Sequence, residues 1–81
     1  MKYYIAAGPS PNQNTLLAFN SAGILTAVGW KTHNNKWIID KKPNENQRGC
    51  LTQQMVEESP DYRRLKTEKV TAILLAARDI S

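Results

Sequence analysis

The run SPDYRRLKTEKVTAILLAARDI, from Ser59 to Ile80, carries the strongest periodic signal in the chain and decides how the fold is read. Ser59 suits a helix N-cap, Pro60 the first helical position, and Asp61 the positive end of a helix dipole. At ~100° per residue, Tyr62, Leu65, Val70, Ile73, Ala76, Ala77 and Ile80 share one face. Arg64, Glu68, Thr71, Arg78 and Asp79 fall on the other. The spacing predicts an amphipathic helix of up to ~30 Å, with an apolar stripe that needs a sheet or a partner to cover it. Lys66 and Lys69 intrude on that stripe, and Leu75 stands in the middle of the polar face. Thr67 offers a fresh cap with Glu68 in its first turn, and a break there accounts for both lysines.

Upstream, Leu51, Met55 and Val56 indicate a short helical stretch from about Thr52, stopped by Ser59 because Pro60 disfavours the α conformation in its predecessor. Lys41 to Gly49 reads as a polar loop. Before it lie four strands. Lys2 to Ala7 alternates, with Tyr3, Ile5 and Ala7 on one side. The stretch from Gly8 to Asn14, with two prolines and three amide side chains, cannot continue a ladder and forms a loop, either a connector or a contact loop. Thr15 to Phe19 is the second strand, with Leu17 and Phe19 inward. Asn20 and Gly23 suit the first and fourth positions of a type I turn. Ile24 to Lys31 is the third strand, and Gly29 within it marks a bulge or a close approach.

Asn34 and Asn35 suit a two-residue hairpin turn. That turn pairs Trp30 with Ile39 and predicts Val28, Trp30, Trp37 and Ile39 on one buried face. The other face then collects Lys31, His33, Lys36, Ile38 and Asp40.

The whole chain, 1–81, therefore reads as one α+β domain: a β-meander over 1–40, a polar loop over 41–50 and a helical region over 51–81. A four-stranded antiparallel meander is followed by one or two C-terminal helices packed on one face. A domain of this length buries only about 60–65% of the surface its unfolded chain exposes, so a partner or a second copy would add stability.

With 41% hydrophobic and 22% charged residues the composition is that of a folded domain. The single cysteine, Cys50, excludes an internal disulfide and fits a reducing, cytoplasmic setting. A leader and a long apolar run are both absent, so the reading excludes secretion by signal peptide and a membrane span. The net charge of +4 is unevenly placed. From Glu57 onward five acidic residues balance five basic ones, and the excess lies in Lys2, Lys31, Lys36, Lys41, Lys42 and Arg48 against Asp40 and Glu45. A basic edge faces an acidic partner or nucleic acid, or else only water.

The residues give little support to catalysis. His33 is the only histidine, sits at a hairpin tip and lacks companion ligands for a metal. Cys50 reads as a small packing residue, and Glu57 and Glu58, being adjacent, point different ways on a helix. A phosphate-cradling glycine loop is missing. The expectation is a protein that is not an enzyme and needs no cofactor. Trp30 and Trp37 beside lysines could form a base-stacking platform, but the hairpin register assigns both to the core. The candidate partner-binding residues are Leu75, Arg64, Arg78, Lys31, Lys36, Lys41 and Lys42.

In length, basicity and lack of any enzymatic motif, the chain resembles the small corepressors of temperate phages called Lxc or Bof. The resemblance concerns the chain as a whole and carries no residue across. It implies a cytoplasmic regulatory accessory protein whose partner is a repressor bound to operator DNA. Two other classes stay open: direct nucleic-acid binding through the basic hairpin, and inhibition of a host defence protein. A homodimer is compatible with each.

Overall fold

A computed structural model of the protein describes residues 1–6, 15–32 and 34–79. Strands β1 (Lys2–Ala6), β2 (Thr15–Phe19), β3 (Leu25–Lys31) and β4 (Trp37–Asp40) form an antiparallel meander. Three helices follow among the described residues, α1 (Glu45–Cys50), α2 (Gln53–Glu58) and α3 (Thr67–Ala76). The fold is α+β, and the C-terminal helix packs on the sheet. Two strands extend the meander. β5 (Tyr62–Arg64) lies antiparallel to β1, and β6 (Arg78–Asp79) lies parallel to β4, giving the order β5-β1-β2-β3-β4-β6.

The helices divide between the two faces of the sheet instead of sharing one. On the first face, Tyr4, Leu17, Phe19 and Leu25 meet Val56 of α2, with Leu51 and Tyr62 beside them. On the second, Leu16, Trp37, Ile39 and Leu65 meet Val70 of α3, with Ile73 and Ala77 beside them. β2 explains the arrangement: Leu16, Leu17, Ala18 and Phe19 are all buried, and alternate residues of a strand point to opposite faces. An unbroken apolar run of this kind is the mark of a strand covered on both sides.

The β2–β3 turn forms as its residues dictate. The Gly23 N–H donates to the Asn20 carbonyl at 3.0 Å, and Asn20 Oδ1 accepts from the N–H groups of Ala22 and Ile24. Gly23 has φ +78°, a conformation glycine adopts without penalty. Beyond it, Ala18 pairs with Ala27 but Phe19 pairs with Leu25, so Thr26 is an extra residue in β3. This bulge puts Leu25 into the core and leaves Ile24 exposed.

The β3–β4 register is one residue off the two-residue turn. The Asn35 N–H donates to the Thr32 carbonyl at 2.9 Å, and the Thr32 N–H to the Lys36 carbonyl at 2.8 Å. Asn35 takes the left-handed φ of +60°, and Thr32 closes onto Lys36. Trp30 therefore pairs with Ile38, and Lys31 with Trp37. A shift of one residue turns every side chain of the second strand over. Trp37 and Ile39 are buried under α3, while Val28 packs half-buried on the α2 face and Trp30 stays exposed there. The expectation of four buried residues on one face is corrected accordingly.

The long C-terminal helix is two elements. Its first part is β5, and α3 begins at Thr67 with Lys66 in the N-cap position, making no side-chain cap bond. Lys66 and Lys69 are then exposed at the start of a new helix. Upstream, α2 runs over the expected stretch, with Thr52 Oγ1 accepting from the Met55 N–H. The polar stretch 41–50 contains α1, started by a capping box in which the Asn44 and Gln47 side chains bond each other's backbone N–H. α1 buries no residue, and Cys50 at its end is exposed, not packed. Ala7, the 8–14 loop, His33 and Ile80 lie outside the described residues.

Candidate functional site

The second half of α3 and its C-cap read Ala72-Ile73-Leu74-Leu75-Ala76-Ala77, six residues without one polar side chain. Such a sequence is apolar all round, which in a helix signals cover on more than one side. Here Ile73 and Ala77 are half-buried against the sheet, while Ala72, Leu74, Leu75 and Ala76 are exposed. Leu75 is 84% exposed and Leu74 is 40% exposed. The polar residues Thr67, Glu68, Lys69 and Thr71 all belong to the first half.

Beside this half-helix the sheet opens into a cleft of about 360 Å³. Its floor is Leu16, Ala18, Ala27, Gly29 and Ile39, with Tyr3 as a wall. Small residues meet across the floor because Ala18 pairs with Ala27, and Leu16 with Gly29. A Cβ on Gly29 would stand 3.3 Å from both Ile39 Cγ1 and Leu16 Cβ, so glycine is set by the packing of these neighbours. Met1, Leu74 and Ala77 form the rim, and Lys41 and Asp79 the mouth, with Lys41 Nζ 3.2 Å from Asp79 Oδ2. That pair ties β6 to the exit of β4. Both side chains are well exposed, and such pairs contribute about 0–1 kcal/mol.

On the opposite face a shallow recess is lined by Tyr4, Glu57, Tyr62 and Arg64. The Tyr4 hydroxyl donates to the Glu57 carboxylate, which also accepts from Gln53 Nε2 at 3.0 Å. Burial, then the bond to Glu57, pushes the Tyr4 phenol up to about 12. The bond from Tyr4, then that from Gln53, holds the Glu57 carboxyl below its usual range. The bond from the Tyr4 hydroxyl in β1 to the Glu57 carboxylate in α2 ties the two elements together.

The expected partner-binding residues do not form one cluster. Lys41 lines the cleft, Leu75 is exposed on α3 next to the lining residue Leu74, and Arg78 follows in β6. Lys31 and Lys36 lie at the β3–β4 hairpin, and Lys42 is exposed with its backbone N–H on Asp40 Oδ1. Arg64 sits in β5, at the far end of the strand order from Arg78. Both terminal strands are very short and charged, a way of blunting a sheet edge. Recognition by strand addition is thereby disfavoured, and the helix side favoured.

The cleft was hidden from sequence reasoning because its floor comes from three strands whose register depends on two turns. The Ala72–Ala77 run was its one legible signal. Among the described residues no group of three or more His, Cys, Asp or Glu could hold a metal, and no helix is long and apolar enough to cross a membrane. Compared with protein-family models, characterised proteins and solved structures, the chain finds no match.

Proposed function

We propose that this protein is a non-enzymatic regulatory module that docks an amphipathic segment of another protein against the end of α3. The observation that carries the reading is the exposed apolar half of α3 beside an open apolar cleft. A groove of this size suits one or two apolar side chains presented at helical spacing. Lys41 at the mouth and the net charge of +4 select a segment with carboxylates flanking its apolar anchors. The setting is cytoplasmic, in keeping with an exposed free Cys50. In its finer form the partner is a repressor on operator DNA, a reading supported by the resemblance to phage corepressors. A host defence protein as target is the same mode of action with another partner.

Affinity capture on wild type, Leu75→Glu and Ala27→Phe tests the docking site. The first variant places a carboxylate on the helix face, and the second fills the cleft. The expected result is one partner held by wild type and lost from both variants, with circular dichroism unchanged. Equal capture by all three would put the binding face elsewhere. A mobility-shift assay on the partner's operator then tests the finer form, which expects tighter operator binding when this protein is present.

A further inference from the structure

α2 covers only part of its face of the sheet. It packs over Tyr4, Leu17, Phe19, Leu25 and Val28. Two residues further along each strand lies the row Trp30–Ile38–Arg78, joined by direct cross-strand pairing in β3, β4 and β6. Directly paired residues share a face, so these three side chains stand side by side. Trp30 is 38% exposed and Ile38 is half-buried. Lys36, opposite Thr32 at the next step, joins the same face. Lys36 and Arg78 are exposed and have no carboxylate partner among the described residues. The carboxylate on this part of the face, Asp40, accepts from the backbone N–H of Lys42.

We infer that this row is a stacking platform for single-stranded nucleic acid, on a surface separate from the proposed protein-docking cleft. An exposed indole on an open sheet face offers a base its π-surface, while Arg78, two strands or about 10 Å away, and Lys36 take the adjoining phosphates. A base inside a duplex has both faces covered by its neighbours and cannot stack on Trp30 without being flipped out. A ring flanked by two cations suits a base and its phosphates better than a protein anchor, since anchors fill pockets. Trp37, buried under α3, takes no part.

Intrinsic fluorescence with an oligothymidylate of about 15 nucleotides tests this. The oligonucleotide should quench Trp30, and the buried Trp37 supplies a constant background. Trp30→Ala should weaken binding about five- to 150-fold, and Trp30→Phe, which keeps a ring, should fall between that variant and wild type. The log–log salt slope should be about −1.4 for two phosphates and drop by about 0.7 in Arg78→Gln or Lys36→Gln. Inorganic polyphosphate binding as tightly as the oligonucleotide would reduce the site to bulk charge and overturn the platform. So would an unquenched Trp30, or a Trp30→Phe variant that is folded and binds no better than Trp30→Ala. Protection of Trp30 by a captured protein, with none by the oligonucleotide, would assign the row to protein contact and also overturn it.

Discussion

The two faces of the sheet are closed to different degrees. On the α2 face a six-residue helix brings down one buried residue, Val56, onto Tyr4, Leu17, Phe19 and Leu25. The Tyr4 and Phe19 rings meet edge-on with centroids 5.7 Å apart, and the Tyr4–Glu57 bond fixes the helix above them. On the α3 face a ten-residue helix also brings down one buried residue, Val70, yet leaves an open cleft and four exposed apolar residues. The shorter helix leaves one large apolar residue, Met55, exposed. The longer one carries more than its own sheet can use. In a domain this small, surplus apolar surface is a cost in solubility unless something covers it.

The largest effects should come from the two cores. Phe19→Ala and Trp37→Ala should each cost about 3–5 kcal/mol, a large share of the roughly 5–15 kcal/mol expected of a small domain. Trp30→Ala, its indole outside both cores, should stay within about 0.5 kcal/mol. Urea denaturation of the three variants checks this. A Trp37→Ala variant as stable as Trp30→Ala would mean that the α3 face has no true core.

Next comes the cleft floor. Gly29→Ala adds a methyl 3.3 Å from Ile39 and Leu16, and overpacking of this kind costs about 1–3 kcal/mol. Ala27→Leu, on the same floor but facing open space, should be close to neutral. Thermal melts of the pair give the answer. Equal losses would show the floor to be uniformly packed, and the cleft not to be space a side chain can enter.

How far the sequence discloses this molecule depends on the kind of signal. Strand alternation and turn residues disclosed the meander, and Thr52 and Thr67 marked the starts of α2 and α3. The β3–β4 register was not legible, because Asn34-Asn35 permits two loops and only the closed hairpin selects the one with Asn35 left-handed. β5 was concealed because Tyr62, Arg64 and Leu65 fit a helical period as well as an extended one. β6 has two residues, too few for any period, and exists only through its pairing with β4. α1 has no buried face, so the Asn44–Gln47 capping box was its sole trace. Two-sided cover was written in Leu16-Leu17-Ala18-Phe19, a run that alternation alone does not interpret. For the site, Leu75 and Lys41 were legible one by one, but the cleft that Lys41 and Leu74 line was not.

The Tyr4–Glu57 lock gives the α2 face a dependence on pH at both extremes. The Tyr4 pKa is raised, so the stabilisation is present below the unfolded value of about 10 and is lost as pH rises toward about 12. The Glu57 pKa is lowered, so its contribution is present above the unfolded carboxyl value and is lost as pH falls through the folded one. Denaturation midpoints across pH should therefore fall at both ends, and Tyr4→Phe should flatten both slopes while removing the most alkaline step of the tyrosine absorbance titration. Unchanged slopes in Tyr4→Phe would mean that the bond is not what holds α2 in place.

Leu75→Glu should have the smallest effect on stability and the most informative effect on function. Leu75 is 84% exposed and belongs to neither core among the described residues, so the substitution should change stability by no more than about 0.5 kcal/mol. The same carboxylate beneath a docked partner would be buried without a counter-charge, and a lone buried charge costs several kcal/mol. Stability and association therefore part company at this residue, whereas at Trp37 they should fail together. Sedimentation velocity of wild type and variant, alone and with the captured partner, reads the difference. A complex lost in a fully folded variant supports docking on α3. Self-association of wild type that Leu75→Glu abolishes would name a second copy of the chain as the occupant, with Ala72, Leu75 and Ala76 as its contact. A variant that associates as wild type does would leave the surplus apolar surface of α3 without a use, and the contrast between the two faces would then be one of packing alone.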